Sequence, residues 1–168
     1  LGIPNHEVRQ ALYETVLPAL AMRRRGDIQS AQSYLYMHLL LGNVDEAKKY
    51  LKALVADVPY SNKKLASMDM EERYRLIMST IFNAIGCRVE VEKMISTGRI
   101  DMVVELHGNV YVMELKLTKN GGIAAAERQI KENRYAEPFK TPGHKVFALA
   151  VELDDMGKGL IDWKLVEA

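Results

Sequence analysis

The chain has 168 residues, of which 48% are hydrophobic and 27% charged, and its formal net charge is +1. This composition is typical of a globular protein with one full core and a small annex, and no apolar run reaches the roughly 18 residues of a membrane-spanning helix. The near-neutral charge argues against a dedicated duplex-binding domain, which usually carries a strongly basic face.

The first 58 residues are predicted to be helical throughout. A first helix follows Asn5, a candidate N-cap. Its apolar stripe consists of Val8, Leu12, Val16 and Leu20. Breaks at Gly26-Asp27 and Gly42-Asn43 separate it from helices over about 28–41 and 44–56. The third helix is expected to turn four residues inward: Ala47, Leu51, Leu54 and Val55. Three short helices with tight turns indicate a small bundle or part of an α-solenoid.

A stretch over 57–62 that contains Pro59 is the predicted linker to a second region. We therefore expect a helical region over 1–60 and a separate domain over 61–168. The helical region is expected to fold without contributing side chains to a site in the second domain. As a surface of its own, it could also serve as a protein-interaction platform.

The second region is predicted to have the element order α-β-β-β-α-β-β. The helices lie at about 70–85 and 123–135, and the strands at about 88–94, 99–106, 109–117, 144–153 and 160–166. The second and third strands are apolar on both faces, which is typical of a central sheet covered on both sides. The predicted fold class is therefore α/β, or α+β.

Three charged residues interrupt the two central strands. Glu114 and Lys116 share one face of their strand, because side chains alternate between the faces. With a two-residue turn at Gly108-Asn109, Asp101 would stand opposite Lys116, with Glu114 as its diagonal neighbour. A three-residue loop would place Asp101 on the opposite face and separate the acids.

Two acids and a lysine inside a sheet need partners. Burying an unpaired charge costs several kcal/mol, unless the carboxylates are paired or bind a metal. Mg²⁺ prefers oxygen ligands and typically takes one or two carboxylates, so Asp101 and Glu114 predict a Mg²⁺ or Mn²⁺ site. Lys116 could then hold an attacking water or neutralise charge on a phosphate. Salt bridges within the sheet are the alternative interpretation.

A series of short motifs runs through the second region. They are Glu71-x-x-Tyr74, Gly98-Arg99-Ile100-Asp101, Glu114-Leu115-Lys116, Gln129-Ile130, Tyr135 and Trp163. In this order, over about residues 70–165, they resemble the PD-(D/E)XK nuclease superfamily. The likeness is greater to the nuclease-like domain at the C-terminus of AAA-ATPase-like proteins, many of them from Bacteroides-type bacteria. Pro4-Asn5-x-Glu7-Val8 is similar to the helical tail of that ATPase-like module.

This resemblance implies a restriction-endonuclease-like αβββαβ core with a central mixed sheet. It also implies a metal-dependent nuclease that acts on DNA or RNA, with DNA the favoured partner, downstream of an ATPase-like domain. Asp101 and Glu114 would then bind the Mg²⁺ or Mn²⁺ ion, Lys116 would be the catalytic lysine, and Glu71 would be the helix acid that completes the metal site.

Two further positions leave alternatives open. Glu72 competes with Glu71, but Asp69-x-x-Glu72 fits a capping box, which gives Glu72 a structural role. Gln129 would contact a phosphate or the lysine–glutamate pair, or else it is a surface amide. Where the related domains usually have Tyr-His, this chain has Tyr74-Arg75.

Two functions follow from the residues. The complete set of aspartate, glutamate and lysine favours a nuclease, whereas the weak overall charge favours a catalytically inactive module that binds nucleic acid or protein. Cys87 is the only cysteine, which excludes a disulfide within the chain and favours a cytoplasmic setting. No P-loop motif occurs, and the first residue is Leu1, so we expect a piece of a longer protein whose ATPase site lies upstream.

Overall fold

The computed structural model describes residues 25–58 and 63–167. The helices are α1 (Arg25–Leu41), α2 (Val44–Ala56), the short α3 (Lys63–Ala66), α4 (Met70–Ala84) and α5 (Gly122–Glu132). The strands are β1 (Arg88–Ile95), β2 (Gly98–Leu106), β3 (Asn109–Leu117), β4 (Lys145–Leu153) and β5 (Leu160–Val166). The first predicted helix, with Asn5 and its apolar stripe, lies outside the described residues. No helix in the described ranges is long and apolar enough to cross a membrane.

The five strands form one mixed sheet in the order β1-β2-β3-β4-β5. Strands β3 and β4 are parallel, and the other neighbours are antiparallel. A parallel pair needs a crossover connection, and α5 supplies it between β3 and β4. The predicted element order and the mixed sheet of a restriction-endonuclease-like core are confirmed.

Helices cover the sheet on both faces, as the apolar central strands predict. Strand β3 sends Tyr111 and Met113 into the larger core with α1, α2 and α4. It sends Val110 and Val112 into the smaller core with α5. Successive side chains of a central strand point to opposite faces of the sheet, so one strand contributes to the core under each helical layer.

The helical region packs directly on the sheet. The four inward residues predicted on α2 are all buried, in the same core as the sheet residues. Trp163 of β5 donates its indole N–H to the carbonyl of Val44 at 2.9 Å. Lys48 pairs with Asp162 at 2.7 Å. The division of the chain near residue 60 stays a prediction, but α1 and α2 share their core with the sheet.

Two helix boundaries differ from the sequence prediction. The described part of α1 already begins at Arg25, so Gly26-Asp27 lies within the helix rather than breaking it. Helix α5 ends at Glu132, three residues early, because Arg134 has a positive φ of 50°. The N–H of Arg134 then bonds to the carbonyl of Lys131 at 3.3 Å and that of Tyr135 to the carbonyl of Ile130 at 3.2 Å, which is a Schellman closure.

The shared core makes a stability prediction. We expect Leu51→Ala to lower the free energy of unfolding by about 2–5 kcal/mol, because Leu51 is fully buried and its truncation leaves a cavity. Urea unfolding followed by circular dichroism and by Trp163 fluorescence should give one coincident transition, because both regions unfold together. The matched control is Leu41→Ala, since Leu41 is 67% exposed and should change stability by no more than about 0.5 kcal/mol. Two separate transitions would contradict the shared core.

Candidate active site

The β2–β3 hairpin turn sets the register of the two central strands. Its two central residues are His107 and Gly108, with φ of 46° and 87°, and Leu106 pairs with Asn109. Positive φ at both positions is the pattern of a type I′ turn. The predicted turn at Gly108-Asn109 is therefore wrong by one residue. Asn109 is the first residue of β3, and its side-chain amide donates to the carbonyls of Leu39 and Leu40. These two hydrogen bonds account for the place of Asn109 outside the turn.

The shifted turn changes which residues are neighbours. The paired register ends at Met102 opposite Met113, so the next residues along the strands are Asp101 and Glu114. The predicted pairing of Asp101 with Lys116 is wrong for this reason. The turn still has two residues, so the alternation of faces is preserved and Asp101 remains on the same face as both charged residues of β3.

Asp101 lies where the two central strands separate. Its Oδ2 atom accepts the backbone N–H of Leu115 at 2.9 Å, in place of a ladder bond from β2. Its Oδ1 atom accepts from the Arg75 guanidinium of α4 at 3.1 Å. The residue is only 7% exposed, and both oxygens of its carboxylate are engaged.

Glu114 is the most deeply buried acid of the group, with 1% of the residue exposed. Its Oε1 atom lies 3.1 Å from Nζ of Lys116, whereas its buried Oε2 atom has no hydrogen-bond partner. Burial first, and then the nearby Asp101 carboxylate, raise the pKa of Glu114 to about 8, against the opposing effect of the lysine. A buried acceptor without a donor is costly, so this oxygen is suited to receive a cation.

Lys116 retains its charge at this position. Burial lowers the pKa of its ammonium, but the neighbouring carboxylates, Glu114 first, outweigh that effect and raise the pKa above its ordinary value. The side chain is about one-fifth exposed, so the ammonium can contact a ligand in the adjoining pocket.

The two candidate helix acids face different pockets. Glu71 lines the pocket at Asp101, and its Oε1 accepts from the N–H of Leu117 at 3.3 Å and from the amide of Asn120 at 2.9 Å. Glu72 lines a neighbouring, more apolar pocket of about 270 Å³. Asp69 caps α4 by accepting the N–H of Glu72, which is one half of the predicted capping box.

Gln129 of α5 also reaches the pocket. Its amide donates to the hydroxyl of Tyr135 at 3.0 Å, and that hydroxyl donates to the carbonyl of Arg99 at 2.9 Å. The Gln129 side chain is half-buried and held by the tyrosine rather than by the lysine–glutamate pair. It therefore borders the pocket at a fixed position.

All five predicted site residues line one polar cavity of about 570 Å³, at the point where β2 and β3 separate. The lining residues are Asp69, Glu71, Arg75, Met94, Arg99, Asp101, Glu114, Lys116, Gln129 and Tyr135. Sequence reasoning did not assign a role to Arg75 or Arg99. The helical spacing of Glu71 and Arg75, four residues apart, is the signal that could have placed Arg75 on the same face.

The donor set fits a hard divalent cation with few protein ligands. Asp101 and Glu114 are adjacent carboxylates, one of which has an unpartnered buried oxygen. Among the described residues, no three His, Cys, Asp or Glu side chains converge closely enough to hold a metal. Mg²⁺ commonly takes one or two carboxylates and keeps several waters, which suits a two-carboxylate site opening on a polar cavity.

A mixed sheet with helices on both faces and acids and a lysine where its central strands separate defines a protein of the restriction-endonuclease-like class. The sequence profile of the PD-(D/E)XK nuclease superfamily matches residues 69–163, more than half of the chain. The chain belongs to this superfamily, and its second region is a nuclease-like domain.

A curated relative extends the comparison beyond this domain. An uncharacterized protein in the vnfD 5′ region of Azotobacter chroococcum mcd 1 is 30% identical over 170 residues, which is 96% of this chain. The chain spans about a third of that relative's length, 31%. No solved structure matches the chain.

Proposed function

We propose that the domain is a divalent-metal-dependent nuclease that hydrolyses phosphodiester bonds in DNA or RNA, with DNA as the first candidate substrate. The observation that carries the proposal is the buried Glu114 carboxylate, with one oxygen on Lys116 and the other without a partner beside Asp101. An apolar core gives no reason for this arrangement, whereas a cation and a phosphate at the pocket would satisfy it.

The metal ligands would be Asp101 and Glu114, with Mg²⁺ or Mn²⁺ as the ion. A cation held there would polarise a phosphate oxygen and lower the pKa of a bound water. Glu71, on the same pocket, would complete the site through a water, since its Oε1 already accepts two N–H groups. Carboxylates must be ionised to bind a metal, so binding would release the proton that burial retains on Glu114.

Lys116 and Gln129 would act on the substrate. The Lys116 ammonium would donate a hydrogen bond to the attacking water and would stabilise the negative charge that develops on the phosphate. The Gln129 amide, anchored by Tyr135, would donate to a neighbouring phosphate oxygen. By the sequence resemblance, the domain would work as the C-terminal part of a larger, ATPase-like bacterial protein in the cytoplasm.

Metal binding and cleavage test the proposal together. We expect wild type to cut a plasmid or single-stranded DNA with Mg²⁺ or Mn²⁺ and to stop when EDTA is added. Asp101→Asn keeps an acceptor for the Leu115 N–H but removes the negative charge. Calorimetry should therefore show weaker Mn²⁺ binding, and the variant should not cleave DNA. Asp162→Asn is the control, because Asp162 also pairs with a cation and a backbone N–H, but on β5. Equal Mn²⁺ affinity for wild type and Asp101→Asn would contradict the metal site.

A second candidate is a catalytically inactive module that binds nucleic acid or protein. The Arg75–Asp101 ion pair favours it, since an internal guanidinium already neutralises one of the two candidate ligands. Wild type that binds DNA but neither binds Mn²⁺ nor cuts any substrate would support this function instead.

A further inference from the structure

Two arginines border the pocket from different elements. Arg75 extends from α4 and Arg99 from β2. Only 14% of the Arg75 side chain is exposed, whereas 55% of the Arg99 side chain is exposed. A guanidinium has five N–H donors, and Arg75 uses one of its groups on Asp101. The Arg99 guanidinium forms a long ion pair with Glu92, and Arg99 lines the cavity.

Glu92 keeps the two guanidiniums close together. Its Oε1 atom lies 3.6 Å from Nη1 of Arg75 and 3.5 Å from Nη1 of Arg99. At these distances the oxygen forms a long ion pair with each guanidinium. A single anionic oxygen thus lies between one nitrogen of each guanidinium, a position that a phosphate oxygen would also suit.

The backbone at Glu92 is strained. Its φ is 51° in the interior of β1, between the pairs Val91–Met102 and Lys93–Ile100. A non-glycine residue keeps this conformation only where its surroundings impose it. The register places Glu92 level with Asp101, and Glu92 lines the neighbouring pocket of about 270 Å³, which Arg75 also borders.

We propose that Arg75 and Arg99 form a phosphate-binding pair of the site, in which the Glu92 carboxylate occupies the place of a substrate phosphate. The pair would receive a phosphate of the nucleic-acid backbone next to the one that is cleaved. This inference rests on the nucleic-acid substrate of the proposed function and does not require cleavage. Planar, bidentate recognition makes arginine well suited to the role, since its donors match two phosphate oxygens.

Fluorescence anisotropy of a short labelled DNA duplex in EDTA measures binding without cleavage. We expect Arg99→Met to weaken binding about tenfold, the effect of one lost charge-assisted contact, and to reduce the salt slope by about 1. Arg75→Lys keeps a positive charge beside Asp101 but loses the planar guanidinium. It should also weaken DNA binding. Glu92→Gln removes the competing carboxylate and should tighten binding several-fold.

The matched control is Arg88→Met. Arg88 is an exposed arginine on β1 that also pairs with carboxylates, but it lies outside this cavity. Arg88→Met should leave the affinity for DNA and the salt slope unchanged. Thermal unfolding should confirm that each variant folds. If Arg99→Met bound DNA with wild-type affinity and salt slope, the inference would be overturned. The same holds if Glu92→Gln bound DNA more weakly than wild type, or if wild type did not bind DNA at all. Normal DNA binding without any cleavage would leave the pair intact and contradict only the nuclease proposal.

Discussion

Lys116→Met should abolish detectable cleavage of DNA while leaving the fold and Mn²⁺ binding in place. The methionine keeps most of the volume of the lysine stem and removes only the ammonium. Removing one preorganised donor to a developing negative charge costs on the order of 10²–10³ in rate. The ammonium lies 3.1 Å from Oε1 of Glu114, and the Lys116 side chain is about one-fifth exposed. The ammonium can therefore contact a ligand in the pocket and is not enclosed by the core.

A lysine on another strand is the control. Lys164 of β5 also pairs with a glutamate, Glu127, at 2.8 Å, but both lie outside the cavity. Lys164→Met should cut DNA at the wild-type rate. If Lys116→Met and wild type cut equally well, the activity belongs to another site and the assignment of Lys116 fails.

Glu114→Gln should flatten the pH dependence of stability in the metal-free protein. The pKa of Glu114 is about 8 in the folded protein, against 4.5 in the unfolded chain. Between these values the folded state holds a proton that the unfolded state has lost, so the free energy of unfolding falls as pH rises. The steepest fall is about 1.4 kcal/mol per pH unit. Glutamine stays neutral throughout and should make the variant more stable than wild type by up to several kcal/mol above pH 8.

Urea unfolding in EDTA between pH 5 and 9 measures this difference. The gap between variant and wild type should widen up to about pH 8 and then level off. Glu105→Gln, on the neighbouring strand and about one-third exposed, should shift stability little at any pH. A gap that stays constant from pH 5 to 9 would mean that Glu114 titrates as an ordinary carboxyl.

Much of the fold could be predicted because its signals are local. Helix α4 has an N-cap and an apolar stripe within a few residues of each other. Strands β2 and β3 carry apolar side chains on both faces, which alone indicates a covered central strand. Patterns of this kind depend on neighbours within one or two turns, so they survive in the folded protein.

Five of the residues that line the cavity could be predicted together, but their contacts could not. Side-chain alternation placed Glu114 and Lys116 on one face, and any two-residue turn brings Asp101 to that face as well. The exact register depended on Asn109, whose amide bonds to carbonyls of α1 about 70 residues away. No pattern within the hairpin carries that information.

By itself, the sequence determined the order of elements, the apolar faces and the placement of Glu114 and Lys116 on one face of their strand. Only the tertiary structure decided that Arg75 neutralises Asp101, that Glu71 rather than Glu72 reaches the cavity, and that Glu92 holds two arginines. Propensity and periodicity act over a few residues, whereas ion pairs between α4, β1 and β2 join positions 7 to 26 residues apart. Such contacts exist only once the sheet has brought those positions together, because their partners are set by three-dimensional distance and burial.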